Sequence, residues 1–201
     1  MRLVPGKIYK SDFVLTERFS ISFDVFPISF HDEKYSNIIS FMDNGNSQYR
    51  GKLGDRIPAI FFHILGKSTG TETARSLHIA MTLNGKKEKF NSQKWYAVDK
   101  WCHIEIKQTL SVSKYFFEVT VNGERIVYVE NLKPMIYENV NVYNYKPWRN
   151  SELTLPLDGY IKNLQVESGK AIWKKSSFKV TVGITFRPRI KKYFFFYFLK
   201  F

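Results

Sequence analysis

The chain of 201 residues has one cysteine, Cys102, so it can form no intramolecular disulfide. No run approaches the roughly 18 apolar residues of a spanning helix. No stretch repeats its apolar residues at helical spacing, so an α-helical core is not expected. His-Glu-x-x-His, Cys-x-x-Cys and phosphate-loop motifs are missing, and His31, His63 and His78 share no metal-ligand spacing. There is no Asn-x-Ser/Thr glycan acceptor. The first ten residues lack the apolar core of a signal peptide. Two expectations remain: an extracellular protein of which this chain is a fragment, or a cytoplasmic one.

Acid is missing from one end. From Lys170 onward there is no Asp or Glu, and nine of the thirteen net positive charges fall there. Residues 1–169 are therefore only mildly basic, which gives no argument for a specific nucleic-acid partner. The tail ends in Tyr-Phe-Phe-Phe-Tyr-Phe-Leu, residues 193–199. Three readings of residues 170–201 stay open. The tail packs on the domain, it is a chain end foreign to the domain, or it meets a membrane surface with basic residues flanking an apolar plug.

What is present is β-rich. Hydrophobic residues make up 44% and aromatics 17%, enough for a substantial core. Residues 18–26 alternate, with Phe19, Ile21, Phe23 and Val25 on one side and Arg18, Ser20, Ser22 and Asp24 on the other. Pro27 is expected to end that strand. Leu77, Ile79, Met81 and Leu83 alternate in the same way, and Asn84-Gly85 then signals a tight hairpin. Residues 91–100 read as a connection. Residues 101–108, Trp-Cys-His-Ile-Glu-Ile-Lys-Gln, place Cys102 inward with Ile104 and Ile106, and Trp101, His103 and Glu105 outward. A second hairpin turns at Asn122-Gly123. Its simplest register sets Val121 against Glu124, Val119 against Ile126 and Phe117 against Tyr128, so that Tyr128 joins the apolar face. About nine short strands between turn signals predict an all-β, two-sheet antiparallel jelly-roll sandwich over residues 12–167, with a basic, aromatic extension over 168–201.

Several stretches together resemble the concanavalin A-like lectin/glucanase superfamily, in its laminin G-like and pentraxin-like branches. They are Phe-Ser-Ile-Ser-Phe-Asp-Val (19–25), Trp-Cys-His-Ile-Glu-Ile-Lys-Gln (101–108), Phe-Glu-Val-Thr-Val-Asn-Gly-Glu (117–124) and Asp-Gly-Tyr-Ile-Lys-Asn-Leu-Gln-Val (158–166). The resemblance implies two sheets packed face to face, with the closing strand lying beside the first. It implies recognition of a glycan or an extracellular protein, as a lectin-like adhesion module. Its enzyme members carry paired acids on one strand, which a retaining glycosidase needs about 5–5.5 Å apart. Here residues 101–108 hold only Glu105, and Glu118 follows on the hairpin. A non-catalytic module is therefore expected. The alternatives are a glycoside hydrolase or lyase of the same fold, and polyanion or membrane-surface binding through the tail. The resemblance also admits calcium at a rim, for which Asp43 and Asp55 sit in oxygen-rich loops. For ligand binding, Tyr145, Trp148 and Arg149 share one loop, where aromatic faces stack on sugars or anchor partners. Arg56 either makes a structural ion pair or backbone bond, or contacts a ligand carboxylate or sulfate.

Overall fold

In the computed structural model, residues 1–30, 34–43, 56–64, 73–144 and 154–169 are described below. They form twelve strands and no helix. One sheet holds β1 (Ile8–Leu15), β10 (Tyr137–Tyr143), β3 (Tyr35–Asp43), β4 (Ala59–His63), β5 (Ala74–Leu83) and β6 (Lys86–Ala97) in that spatial order, with β11 (Thr154–Pro156) added parallel to β3. The other runs β12 (Asp158–Ser168), β2 (Phe19–Ser29), β7 (Cys102–Ser111), β8 (Lys114–Val121) and β9 (Glu124–Asn131). Apart from β11 the pairing is antiparallel throughout.

The alternation of β2 decides which side faces inward. Phe19, Ile21, Phe23 and Val25 are buried and meet Ile104, Ile106 and Cys102 of β7 in one core with Leu77, Ile79, Met81 and Leu83 of β5. Each such side chain contributes about 1.5–3 kcal/mol by leaving water. Burial pushes the Cys102 thiol up to about 12, with the charge of Asp24 adding to the shift, so it is an inert core residue. Asn84-Gly85 and Asn122-Gly123 take positive φ at both positions, as their hairpins require. A third such turn, between β7 and β8, uses Val112 and Ser113 at φ 44° and 67° without a glycine.

Three sequence expectations change. β2 continues through Pro27 to Ser29. Its neighbour β7 pairs only as far as Val25, so no ladder bond from β7 is lost at the proline. Residues 91–97 belong to β6 and pair with β5 across a bulge. The β8–β9 hairpin keeps Val121 opposite Glu124, but a bulge then sets Val119 against Val127 and Phe117 against Val129. One extra residue reverses parity. Val127 is buried, whereas Tyr128 faces solvent and stacks on Phe116 at 5.0 Å.

The chain enters along the other side of β12. Leu3 N donates to Gly159 O, Ile161 N donates to Met1 O, and residues from Ile8 on join the opposite sheet as β1.

Candidate functional site

The two sheets present different outward faces. On the larger sheet, Ser40, Ala59 and Ala80 form one outward row and Asn37, Phe61 and His78 the next. All six are buried. Tyr35 stacks on His63 at 4.5 Å, and the two histidine rings lie 5.5 Å apart. His78 donates from Nδ1 to Asn91 Oδ1 at 2.6 Å. This side is closed over a second apolar cluster of Met42, Ala59, Phe61, Ala80 and Tyr143.

The outward face of the smaller sheet is open. The register of β7, β2 and β12 sets Lys107, Ser20 and Glu167 in one row, then Glu105, Ser22 and Gln165, then His103 and Asp24. Ser20 and Ser22 are short, so the long side chains on either strand border a shallow groove of about 500 Å³ running along β2. At the end of the face, Phe26 lies against Trp101 (ring centroids 5.3 Å) and Tyr160 (6.3 Å). Trp101 is 44% exposed and Tyr160 39%. The Lys162 ammonium stands 3.8 Å from the centre of the Trp101 ring, a cation–π contact.

Between trio and groove sits a hydrogen-bonded set. His103 Nδ1 lies 2.7 Å from Asp24 Oδ1, and Asn163 Nδ2 donates to Asp24 Oδ2 at 2.6 Å. Asn122 holds the His103 backbone in both directions: its N–H donates to His103 O, and its side-chain oxygen accepts from His103 N–H, each at 2.8 Å. The turn residue of the hairpin therefore also fixes the histidine. A bulge in β12, with Asn163 at φ 54°, leaves Lys162 and Asn163 both solvent-facing.

The two carboxylates on which the alternative enzyme reading would depend are not set opposite each other. Glu105 faces Thr120 across the strands and Glu118 faces Lys107. Each is bound to a cation, Glu105 to Lys107 at 2.7 Å and Glu118 to Arg125 at 2.9 Å. Among the described residues no three His, Cys, Asp or Glu side chains converge as a metal set. Of the binding residues read from the sequence, Tyr145, Trp148 and Arg149 lie outside the described residues, as do Asp55 and the tail from 170. Asp43 closes β3 opposite Val140. The backbone oxygen of Arg56 accepts from the N–H of Thr82 at 3.1 Å and from its hydroxyl at 3.4 Å, anchoring the approach to β4.

Sequence parity placed Trp101 and His103 on the outward face. It did not name Phe26, Asp24, Tyr160 or Asn163 as their neighbours. The signal lay in the expected return of the closing strand beside the first, which sets Tyr160 against Phe26.

No family model matches the sequence, and no curated protein matches it. Solved structures do. A heptameric SAP-like pentraxin from Limulus polyphemus superposes with a TM-score of 0.51 at 12% identity, over 82% of this chain and 74% of its own. A Bacteroides ovatus protein to which carbohydrate binding has been attributed gives a TM-score of 0.50 at 12% identity. That match covers 85% of this chain but only 45% of the larger protein. An alginate lyase from Alteromonas sp. 272 matches at a TM-score of 0.43 and 9% identity, over 76% of this chain and 56% of the lyase. The fold these structures share with the chain is a concanavalin A-like two-sheet jelly-roll sandwich.

Proposed function

We propose that the chain is a non-catalytic glycan-recognition module of an extracellular protein, and that it binds through the open face of the smaller sheet. The observation that carries this reading is the pair of exposed rings Trp101 and Tyr160, packed on the half-buried Phe26 beside a polar groove. Flat aromatic rings match the C–H faces of sugar rings. The rows from Asp24–His103 to Ser22, Gln165 and Glu167 offer donors and acceptors for sugar hydroxyls. Carbohydrate binding attributed to the Bacteroides ovatus protein of the same fold supports the reading. Glu105 and Glu118 already sit in ion pairs, which favours binding over bond cleavage.

The test is a glycan array followed by calorimetry, each run with and without calcium, on the chain and on Trp101→Ala. The substitution should weaken the best glycan at least about tenfold, or 1.4 kcal/mol, with an unchanged melting temperature. A chain that retains no glycan in either condition, or a Trp101→Ala variant that binds as well as the parent, overturns the glycan reading and favours a protein partner. New reducing ends or unsaturated sugars after incubation with oligosaccharides would overturn the non-catalytic part.

A further inference from the structure

The open flank of the sandwich contains a second cavity, away from the groove. It lies where the chain crosses from β12 to β1. Residues 1–3 run beside β12, and the chain then moves to the other sheet. On the opposite side, the bulge between Lys162 and Gln165 lifts β12 out of regular pairing with β2. The two departures leave a cleft of about 400 Å³, within the range of small-molecule sites.

Ile8 and Tyr9 of β1 form one wall of the cleft and Ile161 and Leu164 of β12 the other. Ile8 is 49% exposed, so apolar surface stands open to water there. Lys7 and Lys162 stand at its rim, and among the described residues no acidic side chain lines it. Neither lysine has a carboxylate partner among the described residues: Lys7 lies 5.8 Å from the Tyr9 ring centre, and Lys162 sits over Trp101. Asp24, which pairs across the strands with Lys162, is already engaged with His103 and Asn163, and Asp158 at the start of β12 with Arg2.

We propose that this cleft binds a small amphiphilic anion, with an apolar chain between Ile8 and Leu164 and a single carboxylate or sulfate head between Lys7 and Lys162. An apolar body gains by leaving water against these walls, and the two ammonium groups, held by Met1 Sδ and the Trp101 ring and not by a described carboxylate, select the sign of the head. The site is independent of glycan binding, except that Lys162 belongs to both. A head group that draws Lys162 toward the cleft removes its ammonium from the Trp101 ring, so occupancy should change the fluorescence of Trp101.

Decanoate is the probe, with decyl glucoside and decyltrimethylammonium as neutral and cationic controls, all below their micelle concentrations. Calorimetry should show saturable binding of decanoate, with a change in tryptophan fluorescence that is lost in Trp101→Phe. Decyl glucoside should bind more weakly and decyltrimethylammonium not at all. The double variant Lys7→Gln/Lys162→Gln should weaken decanoate about tenfold, as expected for two partly exposed ion pairs, and leave decyl glucoside unchanged. Ile8→Trp should block all three, and its melting temperature separates blockage from misfolding. The proposal is overturned if decanoate does not bind, if the three head groups bind alike, or if the double glutamine variant keeps full affinity.

Discussion

His63 should make the protein lose stability in mild acid. The residue is 7% exposed on the closed outward side of the larger sheet, stacked on Tyr35, and neither ring nitrogen has a hydrogen-bond partner among the described residues. Burial first, then the charges of His78, Lys34 and Arg75, push its pKa down from 6.5 to about 4. The folded protein therefore resists protonation that the unfolded chain accepts. Above pH 6.5 both states are neutral at this site and it contributes no pH dependence. Between pH 6.5 and 4 the unfolded state binds more protons, so stability falls as pH falls. At 1.36 kcal/mol per unit the full loss is about 3 kcal/mol, a large part of an ordinary domain's stability.

The perturbation is His63→Phe, which keeps a ring against Tyr35 and removes the titrating nitrogens. Urea unfolding followed by tryptophan fluorescence at pH 7.5, 6.5, 5.5 and 4.5 gives the free energy from midpoint and slope. The variant should match or exceed the parent at pH 7.5, because no buried nitrogen is then left unpartnered. Its advantage should grow by about 1.4 kcal/mol at pH 5.5 and approach 3 kcal/mol near pH 4. Carboxylate titration is common to both proteins and cancels in the difference. The pKa of His78 is also lowered, chiefly by burial, so the variant keeps a smaller slope of the same sign. Parallel pH curves for parent and variant would refute the account of His63.

Two further outcomes rest on backbone geometry. Val112→Asn should stabilise the chain by about 1 kcal/mol in urea unfolding, because a β-branched residue at φ 44° and 93% exposure is strained without gaining burial; a loss of stability would show that the turn does not carry this strain. Gly159→Ala should cost at least about 2 kcal/mol, since an added Cβ would stand 2.4 Å from Phe26 O in the strand partner; a neutral effect in the same assay would contradict the close pairing of β12 with β2.

The core was legible because parity is unambiguous where polar and apolar residues alternate. In β2, the polar residues Ser20, Ser22 and Asp24 leave one choice of inner face, and the structure buries the residues between them. In β9 the pattern fails. Ile126, Val127, Tyr128 and Val129 are apolar at both parities, so nothing in the composition chooses between registers, and the bulge that buries Val127 and exposes Tyr128 is invisible. The second half of β6 was missed for the opposite reason: Asn91, Ser92, Gln93 and Lys94 are polar at both parities, and of these only Asn91 pairs with β5 before the bulge. The closed outward side of β5 did leave a trace. His78, Ala80 and Thr82 are small or aromatic where a solvated strand would carry charges.

The candidate site depends on a contact order that local pattern cannot supply. His103 meets an aspartate 79 residues earlier, and that aspartate meets an asparagine 139 residues later. One irregularity in β12 brings these parts together. With Asn163 in the left-handed region, a conformation asparagine tolerates better than most residues, two consecutive side chains face solvent instead of one. Asn163 then reaches Asp24 and steadies the acid beside His103, while Lys162 reaches Trp101. The same lift opens the cleft against β1. A regular β12 would turn one of those two side chains inward, and the open face would lose either the Lys162 cation over Trp101 or the Asn163 amide on Asp24. The bulge is therefore the local feature on which both proposed binding surfaces depend.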